Sequence, residues 1–350
     1  MTRFALLLAC ALTLPHLAGP TFVHADDAAT APVADAMAKA ANNLLKGLDD
    51  AGRAKATMAF DDPRRLDWHN IPKPERKGLQ LREMSAEQQK LCHELLKAAL
   101  SDTGYDKAVR ILSLENNLRE GEKGIQNGNL RDPLRYFLTI FGTPGNTGTW
   151  GWSFEGHHFS QNFVVKDGVI VGDTPSFWGA NPATVYKVVE GGPEKGIRAL
   201  AREEQLAFDL VNSLTDDQKK KGILTDKAPE EYRNAGKPTP PAVAPEGIAA
   251  TDLTDAQKAN LWSILETYAS HLEPALANER LGEIKTAGTD KLHFAWLGST
   301  KPHQGHSYRI QGPTFVLELI NVQSDTEGTV ANHIHSVWRS LTRDFGVATK

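Results

Sequence analysis

Two short stretches of the chain concentrate side chains able to hold a metal ion or move a proton. Residues 155 to 158 read Glu-Gly-His-His, and residues 332 to 335 read Asn-His-Ile-His. In an extended strand His333 and His335 project from one face, because side chains alternate with period two, and two imidazoles can then reach one divalent ion. The adjacent His157 and His158 diverge if the chain is extended there, which leaves one as a ligand and the other as a supporting donor or an acid–base group. Neutral imidazole with carboxylate suits zinc, iron, manganese or copper. The resulting assignment places His157, His333, His335 and Glu318 around a divalent ion. Glu155 serves as general base on an ion-activated water, His158 as an acid–base group, and Arg339, four positions after His335, steadies an anionic group. Which of His157 and His158 is the ligand stays open.

Such a set serves three kinds of function. The first is a metal-dependent hydrolase acting on a small-molecule substrate. The second is a non-catalytic periplasmic protein that captures a small ligand or metal ion with every coordination position filled by protein. The third is a metal-free hydrogen-bond network joining two halves of the fold. Other catalytic templates are missing: there is no Gly-x-Ser-x-Gly elbow, no phosphate-binding Gly-x-x-x-x-Gly-Lys-Ser/Thr and no His-Glu-x-x-His. The glycine-rich run GTPGNTGTWG (142 to 151) has neither nucleotide-binding spacing and reads as a hairpin loop. His303 and His306 fall in a Gly/Pro-rich stretch read as exposed, and His69, His93, His271 and His293 stand alone.

The elements that position these residues repeat along the chain. At an offset of 156, YFLTIFG (136 to 142) aligns with LHFAWLG (292 to 298), and the runs that follow match in apolar character. With a small shift, Ser176-Phe177-Trp178 falls on Ser336-Val337-Trp338. Among the helical parts, MSAEQQKLCHELLKAAL (84 to 100) resembles LTDAQKANLWSILETYA (253 to 269), and both carry capping-box spacing at Ser85/Gln88 and Thr254/Gln257. Short aromatic or β-branched runs at 136–141, 150–155, 159–166, 292–297, 306–311 and 314–322 predict strands. The fold expected is α+β: two tandem pseudo-symmetric repeats, 26–195 and 196–350, each a helical segment followed by a small antiparallel β-meander, forming one compact unit with the meanders sharing a sheet or barrel. Each half also contains a proline-containing connector, 61–78 and 227–247, the latter read as exposed. Where the copies disagree chemically, the site is expected: Glu155, His157 and His158 stand opposite Gln311, Pro313 and Thr314.

With 350 residues, a net charge of -4 and 40% hydrophobic residues, the composition is that of a globular chain with no basic excess for nucleic acid. The opening MTRFALLLACALTLPHLAGPTFVHA reads as a signal peptide over 1–25, implying a periplasmic or extracellular protein without a membrane anchor after cleavage. Cys92 is then the one cysteine left, so a core rather than a disulfide must hold the fold. Nothing in the sequence specifies the oligomeric state.

The segments GWSFEGHHFSQNF, DTPSFWGANPA, YRIQGPTFVLELINVQ and NHIHSVWRSLTRDFG resemble the signature blocks of a secreted, mainly bacterial family known only as domain of unknown function 3500. The resemblance covers most of the mature chain. Its pattern has a Tyr-Asp-Asn turn after the IQGPTF strand, where this chain has Leu319-Ile320-Asn321, keeping the asparagine and losing the acid. The resemblance implies no activity, substrate or cofactor.

Overall fold

Six strands form where aromatic and β-branched runs are bounded by Gly, Asn and Pro, within a residue or so of the positions expected, and seven more among the described residues join them. In the computed structural model, which describes residues 27–123, 130–241 and 243–347, these are β1 (Thr57–Met58), β2 (Leu79–Gln80), β3 (Phe137–Phe141), β4 (Thr149–Gly156), β5 (Phe159–Lys166), β6 (Val169–Gly172) and β7 (Ser176–Ala180) in the first part of the chain. They are followed by β8 (Ile223–Thr225), β9 (Ile248–Ala249), β10 (His293–Gly298), β11 (His306–Gln311), β12 (Phe315–Gln323) and β13 (His333–Ser340). The segment read as a signal peptide lies outside the described residues, and among those described no helix is long and apolar enough to cross a membrane.

All these strands join one mixed sheet, so with the helices the architecture is α+β. The path runs β1-β3-β4-β5-β7-β13-β12-β11-β10-β8, with β2 on β3, β6 on β5 and β9 on β10. Pairing is antiparallel except at the ends, where β1 lies parallel to β3 and β8 parallel to β10. Both meanders therefore share a sheet, and the seam between them is β7 against β13, with Phe177 opposite Val337. Residues 142–148 form the loop between β3 and β4, as the glycine-rich run suggested.

One face of the sheet is covered by helices and buries the main core. Trp152, Phe154, Phe159, Trp178, Tyr308, Leu317, Leu319 and Trp338 pack there against helical side chains such as Leu95, Leu210, Leu265 and Tyr268. Helices Ala86–Ala99 and Asp255–Ala269 start with the capping boxes expected at Ser85/Gln88 and Thr254/Gln257, each pair exchanging side-chain and backbone hydrogen bonds. His306, expected in an exposed loop, is instead buried on β11, where its ring stacks on Trp296.

Parts of the two connectors cover the opposite face: 227–247 is largely exposed, as expected, but Tyr232 and residues 240–241 are buried. Trp68 and Tyr232, one aromatic from each connector, are buried with Phe177, Ile320, Val337 and Phe345 in a second, smaller core. Each connector also holds the other: Trp68 Nε1 donates to the Lys237 carbonyl (2.9 Å) and Tyr232 Oη to Asn70 Oδ1 (2.7 Å). Prolines explain why these segments form no strands, but a single large ring is enough to dock each of them.

Helix Asp102–Ser113 meets the chain at Leu100 and Leu272, an isolated antiparallel bridge flanked by a Ser101 N–H to His271 carbonyl bond of 3.1 Å. A Cβ placed on Gly104 would lie 1.9 Å from the His271 carbonyl oxygen. Alanine ordinarily gains up to about 1 kcal/mol over glycine inside a helix. Here the obstacle is backbone and cannot rotate away, so Gly104→Ala should lower the melting temperature. A melting temperature equal to or above that of the parent chain would contradict this close crossing.

Candidate metal centre

His157 and His158 form the two-residue turn between β4 and β5 rather than part of an extended strand. Their rings therefore do not diverge but lie face to face, with centroids 3.6 Å apart. His158 adopts φ of 63°, a left-handed conformation that ordinarily favours glycine and costs a β-carbon residue about 1–3 kcal/mol. The surroundings impose it: the His158 N–H donates to the Asn70 carbonyl (3.1 Å), its carbonyl accepts from Gly179 N–H (2.7 Å), and Tyr136 Oη donates to the His157 carbonyl (2.5 Å). Gly179 on β7 makes room for the ring, since a Cβ there would sit 2.9 Å from His158 Cδ2.

From β13, His333 and His335 reach the same point on the connector side of the sheet. The Nε2 atoms of His158, His333 and His335 form a triangle with edges of 2.8 Å (His158–His333), 3.0 Å (His333–His335) and 3.3 Å (His158–His335). A tetrahedral ion with bonds of about 2.0–2.1 Å to nitrogen needs N···N edges of roughly 3.3 Å, so the triangle is within a few tenths of an ångström of that size. Behind it, His335 Nδ1 is 2.9 Å from both oxygens of Glu231, and His333 Nδ1 is 3.2 Å from the Asn181 amide. A carboxylate only accepts, so His335 carries its proton on Nδ1 and turns a bare lone pair on Nε2 into the triangle. For His333 to do the same, the Asn181 amide, whose nitrogen faces Nδ1 in the structure, must turn over to present its oxygen, an atom otherwise buried without a partner. Asn321 Oδ1 accepts the His333 backbone N–H (3.0 Å) at an irregularity in the β12–β13 pairing and so fixes where β13 begins.

The electrostatics favour uncharged rings. Burial, first of all, holds the His158 and His333 imidazoles well below the usual histidine range, and the neighbouring imidazoles and Arg131 push in the same direction. His157 is lowered too, by burial and then by Arg131, whose Nη1 lies 2.9 Å from His157 Nδ1. The same Nδ1 is hydrogen-bonded to Glu115, whose carboxyl is pushed up to about 8 by burial. Arg131 is itself held by Glu122 through its Nε (2.9 Å) and Nη2 (2.7 Å). Two groups of potential ligand atoms thus occur among the described residues, His158/His333/His335 and Glu115/His157/His158. The second has the Arg131 guanidinium hydrogen-bonded to its His157, which disfavours a cation, whereas among the described residues no Arg or Lys side chain is hydrogen-bonded to the first.

The residues expected to form one site are therefore divided. His158, His333 and His335 come together, while His157 turns to Glu115 and Arg131. Glu155, Glu318 and Arg339 share the connector face of the sheet but belong to neither group of ligand atoms. Glu155 is ion-paired with Lys77 and lies 3.7 Å from Arg76, both on the first connector. Glu318 accepts from Arg309 Nε (2.6 Å), Arg233 Nε (2.9 Å) and the Arg233 backbone N–H (3.0 Å). Arg339 donates to Asp344 (2.7 Å) and the Lys237 carbonyl (3.2 Å) and lies over the Trp68 ring. These charges fasten the connectors and the C-terminal turn to the sheet. Sequence reasoning missed Glu231, Asn181, Glu115 and Arg131; for Glu231 the available signal was the aromatic beside it, Tyr232, inside a connector read as exposed.

A model of the family described as "Protein of unknown function (DUF3500)" matches residues 30–347. No curated protein and no solved structure matches the chain.

Removing one member of a buried ion pair strands the other's charge, at a cost of about 3–5 kcal/mol. Lys77→Met should accordingly destabilise the protein by that order in urea unfolding, and adding Glu155→Met should restore most of the loss. If Lys77→Met alone is neutral, Arg76 and not Lys77 is the partner that holds the Glu155 charge.

Proposed function

The chain belongs to the DUF3500 family of proteins of unknown function, and for this member we propose a divalent-metal centre at His158, His333 and His335 that works as a metal-dependent hydrolase. The observation that carries this reading is the convergence of three Nε2 atoms within 3.3 Å of one another. At this spacing the three nitrogens need either a cation among them or N–H···N bonds from Nε2–H tautomers; the metal reading takes the first, with the rings uncharged as burial favours. Three imidazoles leave a fourth position on a zinc-like ion, and an ion so held brings the pKa of a bound water towards 7.

The chain's own groups divide the remaining work. Glu231 and Asn181 orient the rings of His335 and His333. Next to the triangle, the hydrogen-bonded pair of His157 and Glu115 is placed to hold or pass a proton, which moves the acid–base role from Glu155 and His158 to His157. Arg131 supplies a fixed positive charge beside His157 for an anionic group of a small-molecule substrate. Export to the periplasm or the exterior is supported by the opening 25 residues, and a duplicated origin with units 26–195 and 196–350 by the paired capping boxes and the self-pairing of β7 with β13 across Phe177 and Val337.

A second reading is a metal-binding protein without turnover, favoured by the burial of the triangle, in which His158 is 1% and His335 6% exposed. Azide titrated into cobalt-loaded protein separates the two, since an open coordination position shifts the visible spectrum and a filled one does not.

The metal reading itself is tested by elemental analysis of protein purified without a metal-affinity tag. His158→Ala and His335→Ala should each lose near-stoichiometric metal, whereas His157→Ala should keep it. Full retention in the first two variants, or equal loss in all three, would overturn the ligand set.

A further inference from the structure

Among the described residues Glu231 is the one carboxylate hydrogen-bonded to the three-histidine triangle, and it does not come from the sheet. It belongs to the 227–247 connector, where its side chain remains 32% exposed while Tyr232, the next residue, is buried against Phe177 and the His335 ring. Further along the segment Ala235 packs on the smaller core, and polar attachments include Arg233 to Glu318, Trp68 Nε1 and Arg339 to the Lys237 carbonyl, and Arg309 to Glu246. Arg233 Nη2 is buried without a hydrogen-bond partner, so even this docking leaves a donor unsatisfied.

We propose that Glu231 is a positioning residue through which metal occupancy and docking of the 227–247 connector are coupled, so that the connector is a strap closed by the ion. The inference rests on the metal reading of the triangle. An ion on His335 Nε2 draws electron density from the ring and makes its Nδ1–H a stronger donor to Glu231. That bond holds the carboxylate, and with it Tyr232, in the docked position. Linkage makes the effect reciprocal: a docked strap raises metal affinity by the factor by which the metal favours docking. Outer carboxylates of this kind ordinarily change metal affinity by about 10–100-fold, which sets the expected size of the coupling.

Hydrogen exchange followed by mass spectrometry, with mature protein stripped by chelator and then reloaded with zinc, reads the strap directly. Peptides covering residues 228–237 should exchange at least about tenfold more slowly in the zinc form. In Glu231→Gln the zinc affinity should fall by about 10–100-fold and, at saturating zinc, the protection of 228–237 should disappear. A merely structural Glu231 would speed exchange equally with and without zinc and leave the affinity unchanged. If the parent protein takes up one zinc and residues 228–237 exchange identically in both forms, the coupling is refuted and the metal centre stands. If it takes up no zinc, both fall.

Discussion

Three neutral nitrogens held within 3.3 Å of one another are the constraint on which the rest of this structure turns. Keeping them neutral requires burial, and burying them on a sheet face that also carries Glu155, Glu318 and Arg339 requires partners for those charges. The connectors provide both. Lys77 and Arg76 from one and Arg233 from the other neutralise the carboxylates, while Trp68 and Tyr232 exclude water around His335. The polar, irregular segments that look least structured in the sequence thus set the dielectric in which the histidines operate.

Division of the triangle between distant parts of the chain makes the sheet its scaffold. His158 arrives from a turn in the first meander and His333 and His335 from the last strand, and they meet because β7 and β13 pair at the seam. Gly179 lies opposite His335 in that pairing and is also the residue whose missing side chain admits the His158 ring. One register therefore aligns the strands and sets the distance between ligands. Slipping it by a single residue would turn His333 and His335 towards the helices.

Much of this was legible in the sequence, and the reasons are physical. Six of the strand positions and the capping boxes follow from local side-chain chemistry, so they fell within a residue or so of the observed elements. The pairing of His333 with His335 follows from strand periodicity alone. The choice between His157 and His158 does not, because it depends on a turn whose left-handed residue is fixed by Asn70 and Gly179, far apart in the chain. Glu155 and Glu318 look like ligands when read from their strands, since strand spacing shows where a charge sits and not which connector residue answers it. Glu231 was hidden for the same reason: it belongs to a segment with no periodicity, and its position comes from the burial of Tyr232 beside it.

X-ray absorption at the edge of the metal in protein reconstituted with zinc tests the triangle most directly. The account predicts about three imidazole nitrogens at roughly 2.0–2.1 Å, seen through the multiple-scattering pattern of the rings, with one further light atom. A spectrum without imidazole scattering, or with the ion surrounded mainly by carboxylate oxygens, would contradict it.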